Sequence, residues 1–238
     1  MSEQFVENQG VRLWTIDQGR GFPVMLCNGG PGMADYLQPI ADMLTDVARV
    51  LRFEQPGCGR SEALPPYDIQ TCLQDLEAIR RHYAIERWVI GGHSFGADLA
   101  LLYALEHPQS TAGLVCLAGG RVSDDRGWHD EYERRRDTEE IPETNYPVNL
   151  DVNEQTGRDW KAYIHRPTLL RELAHMQIPA LFLYGDEDIR PSWAVEQVAH
   201  LMPNARFVLI PKAPHLLWST QPEVVQTHLQ AFLSLTIR

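Results

Sequence analysis

The stretch Trp88-Val89-Ile90-Gly91-Gly92-His93-Ser94-Phe95-Gly96-Ala97-Asp98-Leu99-Ala100-Leu101 decides how the chain is read. Trp88–Gly91 is an apolar run of strand length, and Ser94–Glu106 has the length and pattern of a helix. Between them stands Gly92-His93-Ser94-Phe95-Gly96. A serine that acts as a nucleophile must present its oxygen on a sharp turn. Such a turn brings the backbone so close to itself that small residues are needed two positions to either side. Both of those positions are glycine here. An incidental serine in a glycine-containing loop is the plain alternative, and the strand before and helix after the serine weigh against it.

The same alternation extends in both directions. Further strand-length apolar runs lie at Val11–Ile16, Pro23–Cys27, Ala48–Phe53, Gly113–Leu117, Ala180–Tyr184 and Arg206–Ile210. Several are apolar on both faces, as strands buried in a parallel sheet are. Helix-length segments fall at about Ala34–Leu44, Ile69–Tyr83, Trp193–Leu201 and Glu223–Leu235. Strands alternating with helices imply crossover units and an α/β fold, with a mostly parallel sheet covered on both faces. The first two runs have no helix between them and are expected to form an antiparallel hairpin at one edge.

One region departs from the pattern. Residues 120–178 carry 22 charged residues in 59, against 31 in the other 179. An interruption of this length is usually a lid or an inserted subdomain. Its aromatics, Trp128, Tyr132, Tyr146, Trp160 and Tyr163, indicate that parts of it pack. The expected organisation is a core of 1–119 and 179–238 with a small, mostly helical and mobile cap at 120–178.

A serine hydroxyl needs a histidine base, itself oriented by a carboxylate. In strand–turn–helix sites of this kind the order along the chain is serine, acid, histidine. After Ser94, the run Ala180–Tyr184 leads into Gly185-Asp186-Glu187-Asp188, and Arg206–Ile210 leads into Pro211-Lys212-Ala213-Pro214-His215. Both loops fall where parallel strands end, on the edge where open α/β sheets place their sites. Of nine histidines, only His215 occupies such a loop; His93 neighbours the serine without facing it. Asp186 and Asp188 share one loop, and spacing leaves both open as the acid. For a developing oxyanion two backbone N–H groups suffice. Phe95 offers one at the start of the helix, and Gly30, in Asn28-Gly29-Gly30-Pro31-Gly32, the other, with Asn28 placed to hold that loop.

Composition narrows the partners. The 238 residues are 44% hydrophobic with a formal net charge of −11, enough for a core and the wrong sign for a phosphate backbone, so nucleic acid is not expected. The polar, acidic opening Met1–Asn8 does not read as a targeting segment, and with no run of 18 apolar residues no transmembrane helix is expected. Cys27, Cys58, Cys72 and Cys116 lack metal-type spacing and read as reduced thiols of a cytoplasmic protein. The expected partner is a small-molecule substrate, without cofactor or metal, in a monomer or small homo-oligomer.

With these pieces in place the chain resembles the α/β-hydrolase superfamily, and within it the proline iminopeptidase-related group. That group has His-Gly-Gly-Pro-Gly where this chain has Asn28–Gly32. It has Asp-Gln-Arg-Gly-Cys-Gly-Arg-Ser where this chain has Glu54-Gln55-Pro56-Gly57-Cys58-Gly59-Arg60-Ser61. The resemblance covers about residues 10–118 and 179–236. It implies an eight-stranded sheet, assigns the acid to Asp188, which lies three residues after Gly185, and marks Asn28, Gly29 and Glu54 as loop or substrate support. Asn28 stands where the group has histidine, and Pro56 where it has arginine. The insertion is also much shorter than the aminopeptidase cap, whose acidic residues hold a free amino group; Glu139, Glu140 and Glu143 are what this chain offers instead.

The first reading is therefore a serine hydrolase of a small ester, lactone or thioester, working through Ser94, His215 and Asp188. The second is a proline iminopeptidase-like aminopeptidase. A ligand receptor on a hydrolase scaffold, without significant turnover, is the rival from another class, and carbon–carbon hydrolases and perhydrolases use the same residues for other bonds.

Overall fold

The computed structural model describes residues 1–237. Its strands and helices follow in the order β1 (Ser2–Asn8), β2 (Val11–Gly19), β3 (Pro23–Cys27), α1 (Gln38–Asp42), β4 (Arg49–Phe53), α2 (Ile69–His82), β5 (Trp88–His93), α3 (Phe95–Glu106) and β6 (Thr111–Leu117). There follow α4 (Arg126–Arg135), α5 (Leu150–Ile164), α6 (Leu169–His175), β7 (Ala180–Gly185), α7 (Trp193–Leu201), β8 (Ala205–Ile210), α8 (Leu217–Thr220) and α9 (Pro222–Thr236). The eight strands form one sheet in the order β1-β2-β4-β3-β5-β6-β7-β8. From β4 to β8 all pairs are parallel; β1–β2 and β2–β4 are antiparallel.

This corrects one sequence expectation. The run at Pro23–Cys27 does not pair with β2 but lies inside the sheet between β4 and β5. The hairpin partner of β2 is β1, joined through Gln9 and Gly10, both at positive φ. A two-residue turn of that hand matches the twist of antiparallel strands. The first strand was hidden because Ser-Glu-Gln-Phe-Val-Glu-Asn is a polar edge strand in which only Val6 is buried.

Alternation along the central strands builds two apolar layers. Met25 and Cys27 of β3, and Trp88 and Ile90 of β5, face one layer with α2, α3 and α7. Val24, Leu26 and Val89 face the other, closed by α1 and α9. Asp68 caps α2 by accepting from the Thr71 N–H at 2.7 Å.

The insertion between β6 and β7 is helical, and its inner face joins the first layer through Trp160, Ile164, Leu169 and Leu173. Hydrogen bonds tie it to the core: Asn149 N–H to the Gly32 carbonyl (2.8 Å), Asn149 Nδ2 to the Gly57 carbonyl (2.9 Å), and Ile69 N–H to Asp159 (2.8 Å). Its charge density sits on the outer face, where pairs such as Arg136–Glu133 and Arg158–Glu154 are exposed. Among the described residues no helix is long and apolar enough to cross a membrane.

Candidate active site

Ser94 occupies the single residue between β5 and α3, at φ 55° and ψ −124°. This is a costly conformation for a residue with a side chain. Its N–H is held by the Leu117 carbonyl of β6 at 2.8 Å. The flanking glycines are required sterically: a Cβ on Gly96 would lie 2.0 Å from the Cys27 carbonyl oxygen, and one on Gly92 2.3 Å from the Gly96 carbonyl. Strand and helix can approach this closely only without those side chains, and the turn pushes Ser94 out to line a cavity.

Two strand-end loops meet nearby. His215, five residues beyond β8, and Asp188, three beyond the end of β7, are both buried, and His215 Nδ1–H donates to Asp188 Oδ2 at 2.6 Å. The Arg190 N–H donates to Asp188 Oδ1 at 2.9 Å. Burial opposes ionisation of Asp188, but His215 and the Arg190 guanidinium outweigh it and hold the carboxyl below its usual range. Asp186 does something else: it is exposed and accepts the Lys212 N–H at 2.6 Å, linking the two loops. Ser94 Oγ has no hydrogen bond within the described residues.

The loop after β3 turns tightly, with Gly30 at φ 58° and its carbonyl accepting from Met33 N–H at 2.8 Å. Asn28 Nδ2 reaches the carbonyls of Met33 (3.0 Å), Gly29 (3.3 Å) and Ala34 (3.4 Å), which fixes the loop from beneath. The N–H groups of Gly30 and Phe95 have no partner among the described residues. Glu54 is fully buried and accepts from Asp35 N–H (3.0 Å) and Arg60 N–H (2.6 Å), with the Arg60 guanidinium at 2.7 Å. It therefore organises the loop after β4 and does not line the cavity.

Sequence reading missed a connecting chain. The Gly29 N–H donates to Tyr36 Oη (2.8 Å), Tyr36 O–H to His93 Nδ1 (2.7 Å), and His93 Nε2–H to the His215 carbonyl (3.0 Å). Burial pulls the His93 imidazole well below its usual value, so it stays neutral in the one tautomer these bonds allow. Its position beside Ser94 was the available signal.

Over Ser94 and Phe95 lies a cavity of about 280 Å³, lined also by Asp98, Arg121, Trp128, Trp160, Lys161 and Arg190. Burial pushes the Asp98 carboxyl up to about 6, although the neighbouring Arg121 and two backbone N–H groups favour its charged form. Of the glutamates that could face an amino group, Glu139 is occupied by a close ion pair to Arg190 and a hydrogen bond from Tyr132 at 3.0 Å, while Glu140 and Glu143 are exposed.

Comparison with known proteins agrees with this architecture. The family profile described as alpha/beta hydrolase fold matches residues 23–145, just over half of the chain. A proline iminopeptidase of Saccharolobus solfataricus is 36% identical over 107 residues, covering 43% of this chain and 34% of that protein. One of Neisseria gonorrhoeae is 35% identical over 98 residues, covering 40% and 32%. The matches thus span about a third of the length of these curated relatives. Among solved structures, a thermophilic esterase from Thermogutta terrifontis superposes with a TM-score of 0.78 at 24% identity over 99% of both chains. E-2-(acetamidomethylene)succinate hydrolase does so with a TM-score of 0.80 at 17% identity, covering 98% of this chain and 99% of that one. The chain belongs to the α/β-hydrolase-fold family and is related to its proline-iminopeptidase-like group.

Proposed function

We propose that this α/β-hydrolase-fold enzyme is a serine hydrolase that passes a small acyl group through Ser94. The supporting observation is the buried Asp188–His215 hydrogen bond, close to a serine forced out of a strained turn. In this reading Ser94 Oγ attacks the carbonyl carbon while His215 Nε2 takes its proton, then returns it to the leaving group. Asp188 fixes the imidazole with Nδ1–H toward itself and stabilises the imidazolium. The free N–H groups of Gly30 and Phe95 receive the oxyanion. Water then enters by the same route in reverse and releases the acid. Residues 120–178 act as a cap, and substrate lies between them and the sheet edge.

Two readings of the scissile bond remain distinct. The named relatives favour the proline iminopeptidase-like aminopeptidase, which sequence reading put second. The charges around the cavity favour a small carboxylic ester: Lys161 and Arg190 are ion-paired, Arg121 is left to oppose a substrate's ammonium group, and Asp98 is the one carboxylate among the lining residues. A panel of p-nitrophenyl acetate, a lactone, a thioester and proline p-nitroanilide separates them. Ester turnover well above anilide turnover is the expected result; the reverse establishes the aminopeptidase. Labelling of Ser94 by a fluorophosphonate without multiple turnover of any member would support the ligand-receptor rival.

A further inference from the structure

Arg121 stands two residues after Gly119 and four beyond the end of β6, where the chain leaves the sheet edge for the cap. Its guanidinium is held between two indoles, 4.0 Å from the ring centroid of Trp128 and 4.5 Å from that of Trp160. All three residues line the cavity that Ser94 opens into. The other cations of that cavity are neutralised in place: Arg190 pairs with Glu139 and Asp188, and Lys161 with Asp124 at 3.5 Å. Arg121 is different. No carboxylate oxygen lies within 4.0 Å of its guanidinium nitrogens among the described residues, and the guanidinium's one hydrogen bond is a close contact from Nη1 to the Ser123 carbonyl. The rest of its five-donor fork has no protein partner.

An arginine stacked on two aromatic faces is rigid, weakly hydrated and oriented, which suits a planar anion. Burial pulls its guanidinium below the usual value, with Asp98 partly restoring it. A partner that brought one negative charge would relieve that burial. A phosphate near neutral pH carries closer to two charges, whereas one unpaired guanidinium balances one carboxylate. The cavity volume, about 280 Å³, fits a small molecule.

We propose that Arg121 is the specificity-determining residue of this site, and that the substrate is a small acyl compound carrying a second, ionised carboxylate that docks in the Arg121 fork between Trp128 and Trp160. This rests on the serine-hydrolase reading above. The dicarboxylic acid half-ester class satisfies it: one carbonyl carbon at Ser94, one carboxylate at Arg121.

The test compares monoethyl succinate with the neutral ethyl butyrate by pH-stat, in the wild type and in Arg121→Gln. The expected result is a kcat/KM preference of roughly 10- to 100-fold for the half-ester, the range of a charge-assisted hydrogen-bonded contact. The preference should collapse toward unity in Arg121→Gln, mainly through a higher KM for the half-ester. Equal turnover of the two esters by the wild type, or a preference retained by a folded Arg121→Gln, overturns the proposal. If Arg121→Gln does not fold, the wild type decides alone. Succinate should then slow fluorophosphonate labelling of Ser94, and succinamide at equal concentration should not; identical behaviour of the two removes the subsite. Absence of any labelling defeats the serine-hydrolase reading instead, and calorimetric binding of succinate then decides the carboxylate site by itself.

Discussion

The floor and the roof of the cavity are built on different principles. The floor is sheet edge: Ser94, Phe95 and Pro31 of the loop after β3 line the cavity and all follow strand ends, and the buried Asp188 and His215 lie on strand-end loops of the same edge. The roof is the insertion, where Lys161 lines the cavity and where Trp128 and Trp160 meet Arg121 at the start of the excursion. A floor of this kind presents pre-set geometry for one chemical step, with little tolerance for change. A roof of side chains can be altered one residue at a time, which is why the proposed substrate choice is assigned to it.

The largest effect expected from breaking the floor is chemical. Ser94→Ala should lower kcat on a substrate ester by on the order of 10⁴-fold or more; an activity above a few per cent would remove Ser94 from its role. Asp188→Asn should cost roughly 10³- to 10⁴-fold, because the wrong histidine tautomer is then favoured. Asp186→Asn should leave kcat within a few-fold, since Asp186 only ties Lys212 to the preceding loop. Equal damage from the two would displace Asp188. The carboxyl of Asp188 is held below its ordinary value. Its contribution to stability is therefore present above the unfolded pKa of about 4 and is lost as pH falls through the lower folded value. Acid unfolding of Asp188→Asn should show a correspondingly shallower dependence on pH.

The next effect is structural. Gly96→Ala places a Cβ 2.0 Å from the Cys27 carbonyl oxygen, a backbone atom of a central strand that cannot give way. The expected cost is roughly 3 kcal/mol or more, read as a lower midpoint in urea together with loss of fluorophosphonate labelling. A stable, reactive Gly96→Ala would mean that β3, β5 and α3 are not as close at the turn as described.

Floor and roof also differ in how far sequence reveals them. The floor was legible because each part carries a local constraint. Glycines flank Ser94, strand-end loops follow two apolar runs, and a glycine turn follows β3. What escaped there was long-range. The relay from Gly29 through Tyr36 and His93 joins residues 57 and 122 positions apart, and nothing in any one segment announces it. The choice of Asp188 over Asp186 needed the family resemblance, since burial is what separates them. The strand β1 escaped because an exposed edge strand has no apolar run to show. In the roof, composition revealed an excursion and its aromatics showed that it packs. The pairing of Arg121 with Trp128 and Trp160 could not be read, because stacking depends on where two helices place their side chains. The high density of charge suggested a mobile cover, yet much of it is exposed ion pairing on a face turned away from a docked helix.

The smallest expected effect tests that docking from the other side. Gly157 lies within α5 of the roof, and a Cβ built there meets nothing within 4 Å. Its backbone is helical, so glycine here only leaves the unfolded chain more freedom to lose. Gly157→Ala should therefore stabilise by about 1 kcal/mol, a rise in Tm of roughly 2–4 °C for a chain of this size. The same substitution is thus destabilising on the floor and stabilising on the roof, with opposite signs set by what surrounds the added methyl. If α5 were instead a loosely attached lid that melts before the sheet, the gain would not reach the main unfolding transition, and Tm would stay where it is. A thermal scan of Gly157→Ala beside the wild type, read by both helical signal and tryptophan fluorescence, distinguishes the two. Coincident shifts of both signals mean that the roof folds as one unit with the sheet beneath it, as the shared apolar layer of Trp160, Ile164 and Leu173 requires.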